Sequence, residues 1–182
     1  DMYTQAQNGT QNMDEAFKLY MKAAEHGSVI AEHRVGQCFM KGAGTEKNPE
    51  QAVFWYTKAA EQGLASAQMD LGVCYSFGNG VKQSDTEAMK WFKKAADQGY
   101  PRAQFAVGNC YQKGAGVPKN PEIAMEWIRR AADQGYADAQ LYLGICFLNG
   151  VDVPQNKEEG IALIRQAAQT GNPDAELFLG IC

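Results

Sequence analysis

Apolar residues in this chain cluster at spacings of three and four, and the clusters return every 36 residues. In the stretch from Ala103 to Asp138, Ala103, Val107, Cys110 and Tyr111 share one face of a helix. A second apolar stretch follows a short polar turn and runs from Pro121 to the Ala131-Ala132 pair. Each 36-residue copy therefore reads as two helices. The first helices are predicted near 29–41, 65–77, 101–113, 137–149 and 173–182, and the second near 13–26, 49–62, 85–98, 121–134 and 157–170.

The polar punctuation agrees with that division. Asn48-Pro49 and Asn120-Pro121 place an Asn N-cap before a proline suited to the first helical position. The other copies put Asn12, Ser84 and Asn156 at the cap. Glu15, Gln51, Glu87 and Glu159 stand three residues on, a capping-box pattern expected to satisfy both orphan donors; Ile123 breaks it. Gly27, Gly63, Gly99, Gly135 and Gly171 close the second helices, and Gly42, Gly78, Gly114 and Gly150 stop the first. Gly108, inside a helix, costs about 1 kcal/mol relative to Ala. Its return at Gly36, Gly72, Gly144 and Gly180 points to close helix–helix approach.

The register is unbroken from end to end. Ala31, Ala67, Ala103, Ala139 and Ala175 repeat, as do the aromatic residues Phe39, Tyr75, Tyr111 and Phe147, with Tyr3 as a stub before them. Trp55, Trp91 and Trp127 repeat, with Leu19 and Leu163 in the outer copies. The expected architecture is an all-α solenoid of stacked helix pairs spanning residues 1–182 as one domain, with truncated repeats at both ends. The chain opens part-way through a repeat with no initiator Met and no signal peptide, which reads as a piece of a longer protein. The pattern Ala-x-x-x-Leu-Gly-x-x-Tyr-x-x-Gly-x-Gly-Val from Ala67 to Val81 is followed by Ala88, Trp91, Lys94-Ala95-Ala96 and Gln98-Gly99. It resembles the Sel1-like repeat, a relative of the tetratricopeptide repeats. The resemblance implies antiparallel helix pairs wound into a right-handed superhelix, with the first helices lining a concave surface. Asp152 in place of the second loop glycine and Gly160 in place of a helix alanine depart from the pattern.

Composition narrows the partners. The net charge of -4 gives no electrostatic reason to expect nucleic acid. No apolar run approaches the ~20 residues of a membrane span. Cys38, Cys74, Cys110, Cys146 and Cys182 all occupy one repeat position. Equivalent positions on stacked helices lie about 8–10 Å apart, beyond the ~7 Å between Cα atoms that a disulfide allows. The cysteines therefore read as small buried hydrophobes, and their usage leans towards a reducing compartment such as the cytoplasm. Members of the resembled family with disulfides carry two cysteines per repeat; this chain carries one, so their bridging is not transferred.

Catalytic signals are sparse. His26 precedes a closing glycine, where a helix end favours a cation, and His33 reads as partly exposed. Together with Cys38 the two histidines lack a recognised metal-ligand spacing. Ser28, Ser66, Ser76 and Ser84 lie in neither Ser-x-x-Lys nor Gly-x-Ser-x-Gly, and no phosphate-binding glycine loop with lysine is present. The expectation is no catalytic, metal or cofactor site. The positions that vary between copies form a second face on each first helix: Arg34, Gln37 and Lys41; Asp70, Val73 and Phe77; Ala106, Asn109 and Lys113; Tyr142, Ile145 and Asn149; Phe178 and Ile181. Adjacent apolar residues on such a face mark an interaction surface. The expected partner-binding set is Asp70, Val73, Phe77, Asn109, Lys113, Tyr142, Ile145, Asn149 and Phe178. The reading is a non-enzymatic scaffold or adaptor that binds a protein or peptide in a groove. A hydrolase of β-lactam type and a structural spacer are the alternatives, and end-to-end self-association stays open. The resemblance implies roles in endoplasmic-reticulum protein degradation, chitin synthase activation, bacterial envelope assembly or host interaction by intracellular bacteria, without choosing among them.

Overall fold

A computed structural model describes the backbone of residues 2–181 and the side chains of residues 12–180. Every regular element among the described residues is an α-helix: α1 (Met2–Glu25), α2 (Val29–Lys41), α3 (Pro49–Glu61), α4 (Ala65–Phe77), α5 (Asp85–Asp97), α6 (Pro101–Lys113), α7 (Pro121–Asp133), α8 (Ala137–Asn149), α9 (Lys157–Gln169) and α10 (Pro173–Ile181). The chain divides into two compact units, Asp1–Ala95 and Ala96–Cys182, with the division falling inside α5.

The caps form for the reasons the sequence offers. Asn48, Ser84, Asn120 and Asn156 each accept a hydrogen bond at the side-chain oxygen from the backbone N–H three residues on, at 3.0–3.3 Å. The reciprocal half of the capping box does not: each cap's own N–H donates instead to the carbonyl of Phe39, Tyr75, Tyr111 or Phe147, at 2.9 Å in every copy. That bond spans the turn between the two helices of a copy and replaces the expected Glu or Gln contact. The second helices end one residue before the expected boundary, because Gln62 and Gln134 already leave helical geometry as C-caps.

One expectation fails outright. Asn12 is no N-cap, since α1 runs unbroken from Met2 through Glu25. Gly42 caps α2 with φ of 71°, and Ala6 stands at the equivalent position. With a Cβ there the left-handed turn is disfavoured, so the helix continues.

Packing follows the period. In the first unit Trp55 fills a surface made by Ala31 and Val35 of its own copy and Ala24 of the preceding one. Trp91 joins Ala60, Ala67 and Leu71, the residues 36 further on. In the second unit Leu163 packs in the same way against Ala132, Ala139 and Leu143. Ile128 and Ile164 are fully buried, each contributing about 1.5–3 kcal/mol from burial. Between α6 and α7 the close approach is real: a Cβ on Gly108 would lie 2.5 Å from Ile128 Cγ1 and 3.0 Å from the Ala124 carbonyl oxygen.

Buried glutamines tie helices together. Gln68 Nε2 donates to the Ala60 carbonyl at 3.0 Å, Gln104 to Ala96 at 3.5 Å and Gln140 to Ala132 at 3.3 Å. Glu32 stands at this position in its copy and has no N–H to give. It accepts instead, from Gln62 Nε2 at 2.6 Å and Lys58 Nζ at 3.3 Å.

Candidate functional site

The variable positions of the first helices lie at i, i+3 and i+7, so each trio shares one helical face. In the first unit, α2 presents Arg34, Gln37 and Lys41, of which Arg34 and Lys41 are exposed. The Arg34 guanidinium donates to Gln37 Oε1 at 3.0 Å. On α4, Phe77 is 72% exposed, an unusual position for a phenylalanine, while Val73 is half-buried. Asp70 is half-buried as well, and its Oδ2 accepts from His33 Nε2 at 2.8 Å and from Gln37 Nε2 at 3.5 Å.

His33 therefore corrects its expectation. It is buried, not partly exposed. Its Nδ1 lies 3.4 Å from Ser66 Oγ, and the Tyr56 ring sits against it with centroids 5.6 Å apart. Burial, and then the charge of Asp70, raises the Tyr56 hydroxyl above its ordinary value. His26 follows the last residue of α1, and its ring Nδ1 lies 2.6 Å from the Lys22 carbonyl oxygen.

In the second unit α6 presents Asn109, half-buried, and Lys113, exposed. Tyr142 on α8 is half-buried and meets Phe105 edge-on at 6.1 Å. Phe105 in turn lies 5.6 Å from the Tyr136 ring, and the Tyr136 hydroxyl donates to Asp138 Oδ2 at 2.9 Å. Burial first and that carboxylate second push the Tyr136 hydroxyl up to about 12. Asn149 closes the α8 face in solvent. Ile145 and Phe178 are more deeply placed than an open face implies: both pack against Ile164, Ala167 and Ala175. Phe178 also lines a surface cavity of about 340 Å³ with Leu148, Ile161 and Arg165. The Ile181 side chain lies outside the described residues.

The structure thus brings Tyr142 to Phe105, and joins Ile145 and Phe178 through one cluster. It ties Asp70 to His33 and leaves Phe77, Lys113 and Asn149 in solvent. What went unread was the pairing between copies. His33 meets Asp70 and Phe105 meets Tyr142, 37 residues on in both cases. Both pairs join one first helix to the next, one residue off the repeat.

The thiols are unbridged, as expected: Cys38, Cys74, Cys110 and Cys146 are free, and Cys182 lies outside the described residues. Among the described residues no group of three or more His, Cys, Asp or Glu could hold a metal ion. Among the described residues no helix is long and apolar enough to cross a membrane.

Five consecutive stretches match the model of the Sel1 repeat: residues 1–28, 29–64, 65–100, 101–136 and 137–172. The chain belongs to the Sel1 repeat family. From residue 29 to 172 each matched Sel1 stretch holds one helix pair, from α2–α3 to α8–α9. Among solved structures, a Sel1 repeat protein from Oxalobacter formigenes is 35% identical with a TM-score of 0.84, over 89% of this chain and 64% of that one. A protective antigen of uropathogenic Escherichia coli with an SLR fold is 38% identical, TM-score 0.83, over 92% of this chain and 36% of that one. An immunity protein from Pseudomonas aeruginosa is 26% identical, TM-score 0.65, over 90% and 60%. The chain thus spans less than two thirds of the length of these relatives. No curated protein matches it. Sel1 repeat proteins are generally scaffolds for protein–protein interaction, and their solenoid is typically non-enzymatic.

Proposed function

We propose that this Sel1 repeat chain is an adaptor whose first-helix face in the second unit binds an extended peptide segment of a protein partner. The observation that carries the reading is the half-exposed Tyr142, held edge-on by Phe105. It has Ile145 one turn on, and Lys113 and Asn149 are exposed on the same helical faces of α6 and α8. A rigid aromatic anchor flanked by donors suits a segment that offers an apolar side chain and a carboxylate or backbone carbonyls. Asn109, Lys113 and Asn149 supply the donors, and Phe178 extends the apolar part. In the first unit Asp70, Val73 and Phe77 form the corresponding face, where Phe77 is the exposed apolar contact.

The test compares three full-chain variants with wild-type helicity and melting temperature against a partner captured from the native source. Tyr142→Ala is expected to lose the partner, and Lys113→Ala to weaken it in a salt-sensitive way. Unchanged capture by both, with loss in Arg129→Ala on the second helices, would move the site to the opposite surface.

A further inference from the structure

Three polar side chains, His33, Ser66 and Asp70, converge in the first unit, two of them, His33 and Asp70, at positions where the repeat elsewhere carries apolar residues. The position of His33 is Met69, Phe105, Leu141 and Leu177 in the other copies, and that of Asp70 includes Ala106, Tyr142 and Phe178. Within the second unit the matching junction is the ring pair Phe105 and Tyr142. Replacing such a pair by a buried imidazole and a carboxylate forfeits apolar burial and incurs desolvation. The fold does not require it.

The geometry of the three is ordered. Asp70 Oδ2 holds His33 Nε2 at 2.8 Å, and with that proton fixed on Nε2 the other nitrogen, Nδ1, is left as an acceptor. Nδ1 lies 3.4 Å from Ser66 Oγ, so the serine hydroxyl is the proton it faces. Ser66 is half-buried, hence reachable, while His33 is shielded. It also sits in the first turn of α4, whose cap residue Leu64 offers no side-chain acceptor. The first intrahelical bond there is from Gln68 N–H to the Leu64 carbonyl. The N–H groups of Ala65, Ser66 and Ala67 precede it and have no intrahelical acceptor. Donors in such a turn stabilise negative charge developing on an oxygen beside Ser66.

We propose that Ser66 is an activated nucleophile that takes an acyl group from an activated ester, with His33 as general base and Asp70 as the positioning residue. This goes beyond the peptide-binding reading and does not depend on it. In the step, Ser66 Oγ forms a bond to the ester carbonyl carbon while its proton passes to His33 Nδ1. The tetrahedral oxyanion lies against the first turn of α4. Its collapse breaks the bond to the leaving oxygen, which departs as a phenolate, or as the phenol with the proton from His33. No oxidant or metal is required. Neither Ser-x-x-Lys nor Gly-x-Ser-x-Gly marks Ser66, because the parts come from two copies of the repeat.

The experiment incubates the full chain with p-nitrophenyl acetate, follows p-nitrophenolate release, and maps acetyl groups by peptide mass spectrometry. The chain's other serines, Ser28, Ser76 and Ser84, serve as internal references. Expected is acetylation of Ser66 well ahead of the other three, falling about 100-fold in His33→Phe, the scale of general-base catalysis. Asp70→Ala is expected to slow it at least about tenfold by loosening the imidazole. Both substitutions use residues the chain already places at these positions, Phe105 and Ala106, so the fold accommodates them. Should His33→Phe fail to keep the wild-type melting temperature, His33→Met, after Met69, replaces it. Acetyl groups on lysines alone, Ser66 no faster than Ser28 or Ser84, or equal Ser66 rates in wild type and the histidine variant would each overturn the proposal.

Discussion

Cys74 is enclosed by Tyr56, Leu71 and the alanines of α3 and α4, and burial, followed by the charge of Asp70, pushes its thiol up to about 12. Reaction with a thiol reagent goes through the thiolate. Near neutral pH Cys74 is therefore expected to be the slowest of the four described thiols, and Cys38, half-buried, the fastest; reagent uptake in the native state, mapped by peptide, checks this. In denaturant all should react alike. Gly108 provides a second residue-scale expectation. A side chain there gains up to about 1 kcal/mol of helix propensity, but it meets Ile128 and the Ala124 carbonyl of a packed neighbour. Overpacking of this kind costs about 1–3 kcal/mol and outweighs the gain. Gly108→Leu should lower the melting temperature, whereas Gly180→Ala, with nothing within 4 Å of its Cβ, should not. The glycine's role was legible because its recurrence defies its poor propensity. That of His33 was not, since burial came from a neighbour 37 residues away that no local pattern names.

At the scale of the helix, the caps bear a separable load. Asn120 accepts from Ile123 N–H at 3.1 Å while its own N–H reaches Tyr111 O at 2.9 Å. Asn120→Ala removes the first bond and keeps the second. The expected loss is about 1 kcal/mol, read from chemical denaturation, without loss of the turn. The four first helices from α2 to α8 were legible to the residue, because a left-handed glycine stands two residues before each and another directly after it. The second helices ended a residue early where glutamine takes the C-cap. The start of α1 misled: an Asn with Glu three residues on resembles a cap, yet the left-handed position before it, glycine in the other copies, is Ala6 here.

Across the whole molecule, several hydroxyls and thiols are kept neutral by burial. Cys74 is raised from 9.0 to about 12 and Tyr136 from 10.0 to about 12, and Tyr56 is raised further still. A raised pKa means that the native state holds the proton more tightly than the unfolded chain does. Its stabilising contribution is complete below the unfolded value and is lost as pH climbs through the folded one. The melting temperature should thus be insensitive to these groups below pH 9 and fall as pH rises from about 9 towards 12, with both units affected. The 37-residue offset that joins His33 to Asp70 and Phe105 to Tyr142 has a different consequence, for how such a chain could be recombined. Excising residues 65–100 would leave the 36-residue rhythm intact and every cap in place. It would nonetheless present His33 with Ala106 and Arg102 where Asp70 and Ser66 had been. The helix pairs share one rhythm, but the copies that carry His33 and Phe105 each hold half of a lock whose other half is written in the next.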